Sequence, residues 1–271
     1  MKIKPSNRVI YANNPLVEVL CQVSFDRVLQ LQSEPPHKFQ DAIASRFPRT
    51  NVEHVASLQL LVGATGLQTP QSTETANIPA IYHFSSEDST RKLSVSADFF
   101  AFSCTKYKKW EAFRDEFTEL FGLFNATYAN TALRRVGLRY KDLIEREAVG
   151  LAGVPWKDLL NPIVAGVLAS EEFFEAPLQP DDESRVQQAF QTALALDDCD
   201  VILQSALLRS GEAVPRHAFL IDTDFFHDSQ SRPLSREGLH GILELLHNSA
   251  DALFRACLKT RLHDALSPSP L

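Results

Sequence analysis

Arg134-Arg135-Val136-Gly137-Leu138-Arg139-Tyr140-Lys141, near the middle of the chain, alternates two kinds of residue. In an extended strand successive side chains point to opposite sides. Arg135, Gly137, Arg139 and Lys141 therefore share one face, and Val136, Leu138 and Tyr140 share the other. The apolar face requires a covering layer, whereas the basic face requires water, a counter-charge or a partner. Such a strand implies an antiparallel sheet backed by helices on one side, the α+β class.

The flanking sequence repeats that logic. After Pro15, the residues Val17, Val19, Cys21, Val23 and Phe25 alternate with Glu18, Leu20, Gln22 and Ser24, which predicts a half-buried strand. Phe39, Ile43 and Phe47, four apart between Pro36 and Pro48, predict a short amphipathic helix. Three strands are expected at 54–62, 80–85 and 92–104, with a polar connection over 63–77. From Lys108 onward, Trp110, Phe113, Phe117, Leu120, Phe121 and Phe124 fall on one face of a helix.

Downstream of the central strand, taken as 131–144, a helix is expected over 156–169. Strands at 185–196, 201–208 and 217–226 follow, with Asp197 and Asp198 turning the chain between the first two. A long helix then opens at Ser235 as its N-cap, with Leu239, Leu243, Leu246, Ala250, Leu253 and Cys257 as its seam, and the tail SPSPL ends it.

Both halves, 1–129 and 130–271, thus read strand, helix, three strands, helix, packed as one globular unit. Leu93-Ser-Val-Ser-Ala-Asp98-Phe99-Phe100 echoes Phe219-Leu-Ile-Asp-Thr-Asp224-Phe225-Phe226 at a period of about 125 residues, so an internal duplication is expected. Duplication requires Asp98 and Asp224 to occupy equivalent places at the ends of equivalent strands.

Composition narrows the function. With 44% hydrophobic residues in 271, the chain can bury a large core, and its formal charge of -7 argues against non-specific nucleic-acid binding. Cys21, Cys104, Cys199 and Cys257 stand far apart among apolar neighbours, as small hydrophobes in a reducing, cytoplasmic setting. The start of the chain has no signal-peptide pattern, and no run of about 18 apolar residues would span a membrane. Neither G-x-G-x-x-G, G-x-x-x-x-G-K-[ST] nor G-x-S-x-G occurs, and no cofactor or metal is expected.

NNPLVEVLCQVSF (13–25), RRVGLRYKDLI (134–144) and LELLHNSADALFRACLKTRLHDAL (243–266) resemble a sporadically distributed family of uncharacterised prokaryotic proteins of about this length. The resemblance covers most of the chain. It implies an accessory gene, of a defence or toxin-related locus, and brings no catalytic residues. The strand order is similar to the duplicated helix-on-sheet architecture of TATA-binding-protein-like folds, a likeness of fold that carries no function.

Three constellations bear on chemistry. Arg135, Arg139 and Lys141 can bind an anion or an acidic partner, with Gly137 permitting close approach, or can pair with Asp222 and Asp224 on a neighbouring strand. Asp222, Asp224, His227 and Asp228 offer metal-ligating or acid/base groups, or mark a structural corner like that at Asp98. His240, Glu244, His247 and Asp251 form a row on the last helix, expected to be a solvated face. The leading expectation is a non-catalytic binding or assembly protein that recognises a protein partner through the polar sheet face. Self-association through the last helix is a further possibility. The alternative is a sensor or enzyme for a small anionic ligand, using a pocket between sheet and helices with Arg135 and Arg139 as its clamp.

Overall fold

The computed structural model describes residues 1–54, 62–63, 66–67, 80–128, 132–170, 174–176, 178, 180–183, 185–209, 217–228 and 236–270. Its elements run in chain order β1 (Val9–Tyr11), β2 (Leu16–Phe25), α1 (Leu29–Ser33), α2 (His37–Ile43), β3 (Arg49–His54), β4 (Val62–Gly63) and β5 (Gly66–Leu67). Then come β6 (Ala80–Ser85), β7 (Arg91–Val95), β8 (Phe99–Cys104), α3 (Trp110–Thr127) and β9 (Leu133–Glu145). The last third holds α4 (Pro162–Ala165), α5 (Pro180–Glu183), β10 (Ala189–Ala195), β11 (Asp200–Arg209), β12 (His217–Asp228), α6 (Arg236–Cys257), α7 (Thr260–Ala265) and β13 (Pro268–Pro270).

Nine strands form one antiparallel sheet in the order β10-β11-β12-β9-β2-β8-β7-β6-β3, and β1 pairs with β13 beside it. The α+β class is therefore observed. At the centre β2 lies against β9, with Val19 opposite Tyr140, Cys21 opposite Leu138 and Val23 opposite Val136. All six side chains are buried on one face. Val17 departs from the predicted alternation and is exposed, because the pairing with β9 shifts register between Leu16 and Glu18.

Helices cover that apolar face. Phe39, Ile43 and Phe47 are all buried, and Phe39 packs edge-on against Phe84, Phe100 and Phe124 at 5.6–6.0 Å between centroids. The stripe from Trp110 to Phe124 on α3 is buried throughout, as is the α6 seam from Leu239 to Cys257. That seam lies within the molecule. No helix among the described residues is long and apolar enough to cross a membrane.

Several boundaries differ from expectation. The stretch 92–104 is a hairpin of two strands, not one. Its turn is built by Ser96 N–H bonding Phe99 O, while the carbonyls of Ala97 and Asp98 accept Val28 and Phe25 N–H beyond the end of β2. The helix expected over 156–169 is broken into short turns. Pro162 starts a new one, and Gly166 sits at φ +53, where a Cβ would also strike the Phe190 ring. β3 begins at Arg49, earlier than expected, because the chain extends directly after Pro48. The rest of the expected strand 54–62, most of the connection 63–77 and the Ser235 cap lie outside the described residues. The tail does not simply end the chain's structure: α7 and β13 follow α6, and β13 pairs with β1.

Strand order in the two halves is mirrored about the β2–β9 pair: each lead strand lies beside the last strand of its own half, β8 or β12. The eight-residue echo does not follow that symmetry. Asp98 sits in the turn before β8, whereas Asp224 lies inside β12, opposite Arg139. The reason is length: β12 pairs with β9 without interruption from Ala218 to Asp228, while β8 begins only after the 96–98 turn.

Beyond the end of β9, a buried ion pair joins the second half together. Arg146 donates to Glu183 Oε2 at 2.7 Å and to Val154 O at 2.6 Å, and Glu183 Oε1 accepts the Trp156 N–H at 2.7 Å. Both residues are at most 4% exposed. Removing one partner leaves an uncompensated buried charge, so Glu183→Ala is expected to cost about 3–5 kcal/mol by urea denaturation. Arg146→Met combined with Glu183→Leu should recover most of that loss. Equal losses in the single and double variants would show that the pair is not what holds this region.

Candidate functional site

The face of the sheet turned away from the described helices carries the predicted basic row. Arg139 forks onto Asp222, Nε to Oδ1 at 2.7 Å and Nη2 to Oδ2 at 2.6 Å. Arg135 reaches Asp224 at 3.4 Å and Asp228 at 3.9 Å, with its guanidinium 3.8 Å above the Phe226 ring. Lys141 meets Glu18 at 2.6 Å. Burial raises the Asp224 pKa above the ordinary carboxylate range, against the lowering pull of Arg135 and Arg139. The space beside Gly137 already holds Asp224 Oδ1, 3.6 Å from where a Cβ would stand. The three cations thus meet four carboxylates on their own face, and the surface is one of neutralised pairs. His227 does not join them, since its Nδ1–H donates to Asp198 O at 3.3 Å.

Neither arginine enters the pocket between sheet and helices. That cavity, about 110 Å³, lies on the opposite side of the same strand and is lined from β1, the start of α3, β9 and α6. Helix-facing alternation along β9 delivers Tyr140 and Asp142 to it, after the apolar Val136 and Leu138. His247 and Asp251 come from successive turns of α6, each one residue beyond a seam position, Leu246 or Ala250.

His247 is 8% exposed. Its Nδ1 lies 2.9 Å from the Tyr140 hydroxyl, and its ring stacks on Trp110 with centroids 4.3 Å apart. Trp110 is held in turn by its Nε1–H to Glu244 Oε1 at 2.8 Å, an oxygen that also accepts Arg114 at 2.6 Å. Burial, with Arg8 nearby, pushes the His247 pKa down to about 4, so the imidazole is neutral. Its Nε2 is buried with no hydrogen-bond partner among the described residues.

Besides Glu111, which pairs with Arg8, the carboxyl groups of Asp142 and Asp251 line the cavity. Asp142 is 6% exposed and makes no side-chain hydrogen bond or ion pair with any described residue. Burial, reinforced by Asp222 through the sheet, pushes its pKa up to about 8. Asp251 is pushed up to about 6 by burial, which the field of Arg8 opposes. Around them stand aromatic walls: Tyr107, whose phenol burial pushes well up, and Tyr11, pushed up to about 12. Arg8, at the rim, donates to Glu111 at 3.2 Å. Among the described residues no group of three His, Cys, Asp or Glu side chains is arranged to hold a metal ion.

The α6 row is therefore not the solvated face expected. His240 is exposed, but Glu244 is tied to α3, His247 is buried and Asp251 lines the cavity. The cause is a second long helix alongside: residues flanking the seam turn toward α3 rather than water. Asp142, which was not among the predicted residues, carried one signal, an acidic residue on the apolar parity of a strand. Against known proteins, no family model matches this chain and no curated protein does.

Asp142 and His247 give stability opposite pH slopes. Because the folded-state pKa of Asp142 is raised, the native protein holds an extra proton between about pH 4 and pH 8, and stability falls as pH rises through that window. His247, with its pKa depressed, loses stability as pH falls from about 6.5 to about 4. Above pH 6.5 the Asp142 contribution remains, at up to about 1.4 kcal/mol per pH unit. Asp142→Asn is expected to flatten the fall between pH 6.5 and 8 in urea denaturation. Parallel curves for the two proteins would mean that Asp142 is already ionised.

Proposed function

We propose that this chain is a non-catalytic binding protein that holds a small ligand in the cavity between β9 and α6. One observation carries the reading: His247, Asp142 and Asp251 line a single cavity, and Asp142, 6% exposed, makes no side-chain hydrogen bond or ion pair with any described residue. A buried polar group left unsatisfied costs about 1–3 kcal/mol, a loss that a ligand reaching it recovers. Recognition is favoured over chemistry because the imidazole, the phenols and Asp142 are all held neutral near pH 7, the state suited to hydrogen bonding. Arg135 and Arg139, which the alternative reading gave as the clamp for an anionic ligand, lie on the other face of the sheet from this cavity.

Ala250 lines the cavity and is buried. Ala250→Leu is expected to keep the fold, with Tm within a few degrees of wild type, while abolishing the Tm rise that small metabolites give the wild type. A metabolite panel that shifts both proteins equally, or neither, would sink the reading.

The sheet face turned away from the described helices supports a second site, for a protein partner. Its charges are already fixed in forked or short ion pairs, so docking would cost little additional side-chain ordering. Arg135→Gln, at a side chain left 38% exposed, is expected to keep the fold and to remove co-purification of a partner from the native host. Unchanged co-purification would exclude this face. An accessory, defence or toxin-related prokaryotic setting is proposed on the sequence resemblance.

A further inference from the structure

We propose that β10 is a dimerisation edge, to which a second copy of this chain adds its own β10, antiparallel about a two-fold axis. The surface is separate from the cavity between β9 and α6, and the dimer stands or falls independently of any ligand there.

The nine-stranded sheet ends in β10 on one side and in β3 on the other, and among the described residues each is paired along one edge only. An edge strand presents a row of main-chain N–H and C=O groups that bind either water or another strand. Natural sheets discourage the second outcome with charge, proline or a very short edge. β3 follows that practice: it carries Arg49, Glu53 and His54, and Arg49 and Glu53 are bonded to Ser89 and His83. β10 departs from it. Ala189-Phe-Gln-Thr-Ala-Leu-Ala195 holds no charged residue and no proline over seven paired positions, and every residue but Leu194 is exposed. In a chain of formal charge -7, a neutral edge is where two copies can meet without repulsion.

The order of residues in β10 selects its own copy as the occupant. A two-fold axis perpendicular to the sheet keeps each side chain on its own face, so opposed residues must be an even number of places apart. Centring the axis on Thr192 overlaps all seven residues. Phe190 then stands opposite Leu194 of the second copy on each side of the axis, and Thr192 stands opposite itself. These three residues lie on the side of the buried Val201, Leu203 and Ser205, their neighbours on β11. On the other face Ala189 meets Ala195 and Gln191 meets Ala193, so no charges are opposed anywhere. Roughly six to eight main-chain hydrogen bonds join the copies, two for each opposed pair of the hydrogen-bonded kind.

The apolar side of this edge is already held in place. The Phe190 ring fills the space beside Gly166 where a Cβ would stand, yet the residue is 46% exposed, and Ile163 on the adjoining α4 is 49% exposed. Leu194 packs against the core. Pairing β10 with β3 of another copy fits worse: it would set Arg49 and Glu53 along the neutral edge, and it would leave an open edge on every copy, building filaments rather than a closed pair.

Oligomeric state is read by sedimentation and by light scattering. The wild type is expected to be a dimer whose fraction rises with concentration. Thr192→Lys and Thr192→Glu each oppose like charges at the axis, and each is expected to be monomeric with a Tm within a few degrees of wild type; Thr192→Val should remain dimeric. An equal mixture of the Lys and Glu variants should recover the dimer, with opposite charges now facing each other. Rescue by mixing separates a contact across the axis from mere damage to the strand. A wild type that stays monomeric up to about 100 µM overturns the proposal. So does a dimer that both charged variants retain, or a mixture that stays monomeric. Growth beyond the dimer would replace the two-fold with a head-to-tail contact and overturn it as well.

Discussion

The pairing of β2 with β9 sets the organisation of the molecule. It is the join between the two halves of the chain, and it fixes register in both directions across the sheet. Cys21 opposite Leu138 and Val23 opposite Val136 bury one face, so that every second residue of β9 is committed to the helices and every other one to the bare surface. A slip of one residue would exchange Arg139 for Tyr140 and put guanidinium groups under α6. The aromatic packing of Phe39, Phe100 and Phe124 and the α6 seam both rest on this commitment.

Because the commitment is made residue by residue, one strand serves two surfaces of opposite character. Outward, β9 meets β12 on one side and β2 on the other in ion pairs: Arg135 and Arg139 find carboxylates on β12, and Lys141 finds Glu18 on β2. Inward, the same strand carries a phenol and a carboxyl group into a space closed by aromatic rings. The peptide layer between them is thin enough for Asp222, held by Arg139 outside, to raise the pKa of Asp142 inside.

The cavity is a costly arrangement for a protein to keep. A packed core could place an aliphatic side chain at position 142 and gain stability, whereas a buried carboxyl without a partner loses it. The surrounding positions are built with care: His247 is stacked, hydrogen-bonded and supported through Trp110 by Glu244 and Arg114. In the proposed reading this ordered support holds the cavity's polar groups in place before a ligand arrives.

Much of this was legible in the residues. Period-two alternation determined β2, β9, β11 and β12, and the 3.6-residue stripes determined α3 and α6, because burial of one face leaves its mark directly on residue order. The possibility that Arg135 and Arg139 pair with Asp222 and Asp224 was also open to a reading of faces alone. Turns were less visible: Ser96 to Asp98 break a strand through backbone bonds that no side-chain pattern records, and the Asp98 and Asp224 echo resembles repetition while occupying unlike places. Only the tertiary structure decided the site. Tyr140, Asp142, His247 and Asp251 come from two elements about a hundred residues apart, and they meet because α6 lies over β9 beside α3. A periodic pattern states which face of an element is covered. It does not state what covers it, and a polar residue at the margin of an apolar seam meets water or another helix according to a packing that no single segment encodes.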